Sequence, residues 1–265
     1  MTNSVELSHV SVVRGRHAIL SDVTVAVEAG TCCAVLGPNG SGKSALMAVI
    51  SGYLWPSSGT VLVDGQMYGR VCLSDVRRTI GLIEPSRAPG FGDHMRVRDV
   101  VATGLFGTLM LPFREPVSAS RWGRVDAELS RFGLADLGSR LYRTLSTGEQ
   151  MKALLARAMV GEARLLLLDE PTVGLDMGTR AACIAALDRL LARPDPPTVI
   201  LVSHHLDELP KAVAQVVLMK RGRIVGRGRP DEMLTSMTLS ELFDCRIDVR
   251  RQNGRFVATA HDGGL

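Results

Sequence analysis

The 265-residue sequence contains no apolar run long enough to span a bilayer. Its longest, Val100 to Phe113, is broken by Thr103, Gly104, Gly107 and Thr108, whereas a membrane-spanning helix needs about 20 residues. No secretory leader opens the chain, because Met1 to Val10 lacks an apolar segment. A soluble chain is expected, one that must dock on another chain to serve any membrane process. The five cysteines, Cys32, Cys33, Cys72, Cys183 and Cys245, form no CxxC pair and no metal-ligand spacing, and their number is odd. That pattern argues against a disulfide framework and for reduced, cytoplasmic surroundings. Internal repeats, low-complexity tracts and long heptad runs are absent too. The net charge of +4 comes from scattered arginines without a nucleic-acid-binding module, so nucleic acid is not expected as the main partner.

What is present suits a folded α/β chain. Hydrophobic residues make up 46% and charged residues 22%, enough for a substantial core and too apolar for wholesale disorder. Val5 to Val27 reads as β, with Val23, Val25 and Val27 alternating with Thr24 and Ala26. Thr31 to Leu36, Leu165 to Leu168 and Thr198 to Ser203 are short apolar runs, hence buried strands, with Cys32 and Cys33 as small core residues. Lys43 to Ser51 and Thr179 to Leu191 read as helices, the second with Ala182, Ala186 and Leu190 on one face. Pro85, Pro89, Gly90 and Gly92 mark a break, after which Val97 to Leu141 is mainly helical. Thr60 to Val63 reads as a strand followed by the turn Asp64-Gly65, and Val216 to Lys220 with Arg223 to Gly226 as a hairpin. In the tail, Thr238 to Glu241 has the spacing of a capping box, and Asn253-Gly254 is a strong hairpin signal.

Three motifs carry chemistry. Gly37-Pro38-Asn39-Gly40-Ser41-Gly42-Lys43-Ser44 fits the phosphate-loop pattern G-x-x-x-x-G-K-[ST]. Glycines let backbone N–H groups turn inward around phosphate oxygens, Lys43 adds a cation for the β and γ phosphates, and Ser44 offers a hydroxyl to Mg²⁺. Second, the strand Leu165 to Leu168 delivers Asp169 and Glu170 at its carboxyl end, where ligands sit in such sheets. Neighbouring side chains point opposite ways, so two roles are expected: Asp169 toward Mg²⁺ through water, Glu170 toward the attacking water. Third, Ser146-Thr147-Gly148-Glu149 opens a helix and makes a second anion cradle.

This ordered set, with Leu145-Ser146-Thr147-Gly148-Glu149-Gln150 placed upstream of the paired acids, resembles the ATP-binding cassette family over residues 5–230. The resemblance implies a P-loop NTPase core of mixed sheet and helices, with an N-terminal antiparallel β subdomain and a helical subdomain inserted at about 86–146. Residues 231–265 would form an extension of helix and β-hairpin outside that pattern. It further implies ATP and Mg²⁺ as cofactors, a second cassette subunit, a transmembrane permease as partner, and a place on the inner face of the cell membrane. Ser146 and Gly148 would touch the γ-phosphate of ATP held by the partner copy. Gly174-Leu175-Asp176 resembles the loop that crosses the dimer interface, and His204 resembles the switch histidine, with His205 turned to solvent. The tail's cadence is similar to that of stand-alone cassettes linked to iron-complex or molybdate import. Non-transport cassettes on ribosomes or DNA, and regulatory nucleotide-binding modules, are the competing classes. Paired cassettes or long coiled coils, usual in the first, are missing; intact Lys43, Asp169, Glu170 and His204 argue against the second.

The sequence departs from the family at several points. The signature carries Thr147 and Glu149 where Gly and Gln are usual, and Pro85 occupies the place of a glutamine that links Mg²⁺ to the transport partner, with Glu84 or Ser86 as alternatives. Arg14 stands where an aromatic ring usually stacks on adenine. A guanidinium plane can stack on a base as well. Arg14→Ala is therefore expected to weaken ATP binding, measured by nucleotide titration; unchanged affinity would rule out the stacking role.

Overall fold

The computed structural model describes residues 2–84, 91–113 and 116–261. Buried residues recur at alternate positions along β1 (Asn3–Arg14) and β2 (His17–Glu28), as in a sheet with one face covered. The two pair antiparallel, with Val5 opposite Val27 and Leu7 opposite Val25. After β3 (Cys32–Leu36), which joins a second sheet, and helix α1 (Lys43–Ile50), strands β4 (Ser58–Val63) and β5 (Gln66–Met67) complete a four-stranded antiparallel sheet ordered β2-β1-β4-β5. Asp64 and Gly65 turn β4 into β5 with φ of 48° and 74°, the left-handed pair that a two-residue hairpin loop requires.

Helix α2 (Leu73–Arg78) leads into β6 (Ile80–Ile83), which pairs with β7 (Leu165–Asp169); β8 (Thr198–Val202) lies between β7 and β3. With β9 (Val213–Lys220) and β10 (Arg223–Gly228) they form a six-stranded sheet ordered β10-β9-β3-β8-β7-β6, parallel except for β10. Every residue of β3, β7 and β8 is buried. Their side chains divide by parity between two cores. Cys33, Val35, Leu165, Leu167, Ile200 and Val202 join α1 and the antiparallel sheet. Cys32, Ala34, Leu166, Leu168, Val199 and Leu201 join the helical side. Each leucine buried this fully contributes roughly 1.5–3 kcal/mol relative to exposure.

The helical side consists of α3 (Val97–Ala102), α4 (Ala119–Arg131), α5 (Thr147–Val160) and α6 (Met177–Leu191). The run Val100 to Phe113 splits in two. Val100, Val101 and Ala102 are fully buried, while Leu109, Met110 and Phe113 are exposed. On α6 the buried face is Cys183, Ile184, Ala186, Leu187 and Leu190, with Ala182 only half-buried. The helix starts two residues earlier than its periodicity suggests, because the Asp176 side chain accepts the Thr179 N–H and caps it. Pro85 and Ser86 lie outside the described residues.

Beyond α7 (Pro230–Met233), helix α8 (Ser236–Phe243) precedes β11 (Ile247–Gln252) and β12 (Arg255–Ala260), which pair through the Asn253-Gly254 turn. The expected capping box at Thr238 is wrong. The Thr235 hydroxyl accepts the Thr238 N–H at 3.2 Å, so α8 begins at Ser236 and Thr238 sits inside it. Leu239 and Leu242 then point into the core. Thr235→Ala should lower stability by about 1 kcal/mol, read as a shift in the urea unfolding midpoint.

Candidate nucleotide site

The carboxyl ends of β3, β7 and β8 lie side by side, and each passes directly into a candidate segment. The loop after β3 is shaped by close approach. A Cβ on Gly37 would lie 2.1 Å from the Met219 carbonyl oxygen of neighbouring β9, so only glycine fits. Gly42 caps α1 at φ 101°, with Leu20 and the Ile19 carbonyl pressed against it. Backbone bonds brace the same region, Gly222 N–H to the Ser41 carbonyl at 2.9 Å and Ser21 N–H to the Gly222 carbonyl at 2.8 Å.

Lys43 is 6% exposed. Its Nζ donates to the Gly37 and Pro38 carbonyls at 2.8 and 3.0 Å. Burial lowers its pKa, while the Glu170 and Asp169 carboxylates oppose that shift. A buried ammonium satisfied by two carbonyls of the loop it serves holds that loop closed around itself. Ser41 is buried and its Oγ has no hydrogen-bond partner among the described residues. Such an orphan atom is costly unless a ligand completes it. Asn39 and Gly40 are exposed at the loop's crest, and Ser44 is exposed in the first turn of α1.

Asp169 ends β7 and is 7% exposed. Glu170 follows with φ 51°, the left-handed region that side-chain-bearing residues rarely adopt and that clusters at functional sites. Its N–H donates to the Val202 carbonyl of β8 at 3.0 Å, which fixes the turn. The Glu170 Oε1 and His204 Nδ1 atoms are 3.1 Å apart, so the tautomer protonated at Nδ1 donates to the carboxylate. The exposed His205 packs its ring against His204, centroids 4.2 Å apart. Behind them the Ser203 hydroxyl donates to Glu208 Oε2 at 2.7 Å. Among the described residues no three His, Cys, Asp or Glu side chains converge to cage a metal. The Ser44 hydroxyl and Asp169 carboxylate nevertheless offer the hard oxygen donors that Mg²⁺ takes when it shares its shell with phosphates.

Ser146, Thr147, Gly148 and Glu149 form a separate turn at the start of α5. The Ser146 N–H and hydroxyl both donate to Glu149 Oε2, at 2.8 and 2.9 Å, and the Glu149 N–H donates back to Ser146 Oγ at 3.4 Å. The Ser146 N–H first, and its hydroxyl second, hold the Glu149 carboxyl below its ordinary pKa range. A Cβ on Gly148 would lie 1.8 Å from Thr179 Cγ2. The Thr179 hydroxyl in turn donates to Asp176 Oδ2 at 2.7 Å, and its N–H to Oδ1 at 2.9 Å. Thr179 therefore joins this turn to the Gly174-Leu175-Asp176 loop, in which Gly174 has φ 77° and Leu175 is buried. Sequence reasoning did not single out Thr179; no motif marks a contact between residues so far apart in the chain. Arg14 is exposed at the end of β1, opposite His17.

Residues 20–173 match the ABC transporter family. The hemin import ATP-binding protein HmuV of Rhizobium meliloti is 33% identical over 267 residues, covering 97% of this chain and 95% of that protein. The ABC transporter ATP-binding protein YlmA of Bacillus subtilis is 31% identical over 245 residues, 92% of each chain. Among solved structures, cbiO1 from Clostridium perfringens, part of the ABC transporter complex cbiONQ, superposes with a TM-score of 0.77 at 25% identity, covering 91% of this chain and 94% of that one. The chain belongs to the ABC transporter family. It is an ATP-binding, ATP-hydrolysing subunit with a P-loop cassette fold.

The contact between Gly148 and Thr179 makes a specific prediction. Gly148→Ala should destabilise the protein by about 1–3 kcal/mol through overpacking. Thr179→Ser, which removes the clashing methyl and keeps the hydroxyl, should recover part of that loss. A double-mutant cycle in urea checks both.

Proposed function

We propose that two copies of this chain close on two ATP molecules, and that opening after hydrolysis drives a partner permease. The observation that carries this reading is the Glu170–His204 contact at the ends of adjacent strands, with Lys43 buried beside the same carboxylates. Lys43 and the N–H groups of Gly37 to Ser44, Pro38 excepted, would bind the β and γ phosphates, and Arg14 would face the base. Ser44 and Asp169 would hold Mg²⁺, which supplies charge neutralisation at the phosphates. Glu170, its carboxylate turned outward by the left-handed backbone and held by His204, orients the attacking water and draws off its proton. His204 is placed to exchange that contact for the γ-phosphate, so phosphate loss is sensed at the base itself.

The turn at Ser146, Thr147, Gly148 and Glu149 faces the ATP of the second copy, and Gly174, Leu175 and Asp176 cross the interface beside it. The single-chain geometry supports this reading, because the turn opens α5 whereas the phosphate loop opens α1. The exposed Leu109, Met110 and Phe113 next to buried α3 supply an apolar face for the permease. Residues 1–230 would act as the ATPase unit, with 86–146 as its helical subdomain and 231–265 as an appended helix and hairpin. Among the described residues no helix is long and apolar enough to cross a membrane. A cytoplasmic position, peripheral on the inner face of the cell membrane, fits that finding.

Glu170→Gln should lower steady-state ATP turnover by about 10²–10⁴-fold, the usual worth of a general base. It should leave ATP binding intact and allow the chain to accumulate as an ATP-dependent dimer in sedimentation analysis. Retained turnover would assign the base to another residue.

A further inference from the structure

We propose that Glu149 guards the signature turn, holding it shut with its own carboxylate until a partner's ATP displaces it. This rests on the reading that Ser146 meets the γ-phosphate of the second copy. In the single chain both donors of Ser146, its N–H and its hydroxyl, are already given to one anionic oxygen, Glu149 Oε2, at 2.8 and 2.9 Å. A phosphate oxygen arriving at the same donors would sit within hydrogen-bond reach of atoms that already hold a full negative charge. Two anions cannot share those donors without strong repulsion. The carboxylate must therefore swing away before the turn can grip phosphate.

Neighbouring contacts set the cost of that motion. Gly148 cannot move aside, because Thr179 fills the space next to it, and Thr179 is tied to Asp176 by two hydrogen bonds. The turn is held on its inner side, so the mobile part is the Glu149 side chain. Arg140 and Lys152 are the cations whose charges Glu149 feels, and Lys152, one turn along α5, offers the carboxylate a place to go. A glutamine here would cap Ser146 with a neutral amide oxygen and leave for a phosphate far more readily. The guard thus raises the ATP concentration needed for closure and disfavours chance pairing of signature turns with other anions.

The test uses the full-length chain in the Glu170→Gln background, with and without Glu149→Gln, and Mg-ATP as the ligand. Sedimentation velocity gives the ATP concentration for half-maximal dimer at low and high salt. Expected is a drop of about tenfold or more for the doubly substituted chain, as for relief of a partly screened like-charge contact. The gap should narrow at high salt. A role confined to helix capping predicts neither the drop nor its salt dependence. Dimers forming at the same ATP concentration in both variants overturn the guard alone. Absence of dimer in both overturns the closure reading, and the guard with it.

Discussion

Three adjacent strands, β3, β7 and β8, have no face toward water, and the reactive groups hang from the points where those strands stop. Alternation cannot set the register of such a strand, because both of its faces are apolar. For β7 the register is set by Asp169 and Glu170. Sliding the strand inward by one residue would put the Asp169 carboxylate in the core place held by Leu168, at a cost of several kcal/mol for an unpaired charge. The same two side chains proposed to serve the nucleotide thus pin the strand that presents them. Stability and chemistry share one requirement here, and neither acid is replaceable on packing grounds alone.

From that edge the structure works by short links. Glu170 is bound through its backbone to β8 and through its side chain to His204, the second residue after β8. The two strands are therefore tied to each other at the proposed catalytic carboxylate. The signature turn is connected differently. Gly148, Thr179 and Asp176 form a chain of contact from the start of α5 to the cap of α6. Two segments expected at a dimer interface are consequently packed against each other within the chain.

Much of this was legible in the sequence. The phosphate loop followed from glycine spacing ahead of a lysine, the paired acids from four leucines before two carboxylates, and the tail hairpin from Asn253-Gly254. What escaped was whatever depends on a partner distant in the chain. Thr238 carried the spacing of a cap, yet Thr235 caps α8, because starting the helix there puts Leu239 and Leu242 into the core. The interrupted apolar run from Val100 carried no mark of which part is covered, and only its first part is. Hydrophobicity says how strongly a residue avoids water, not whether anything is available to cover it. Thr179 had no signature at all, since its methyl matters only because Gly148 lacks one.

Asp188 on α6 accepts from the Lys211 N–H at 2.8 Å and from the Arg255 guanidinium, and Arg255 also donates to the Leu209 carbonyl at 2.7 Å. The terminal hairpin is thereby clamped to the stretch that leaves the histidine pair. A chain shortened ahead of β12 keeps the phosphate loop, Glu170 and His204 yet loses the Arg255 brace. Trimming the end of this polypeptide, or fusing a bulky domain to it, acts on how firmly the segment after the histidine pair is backed.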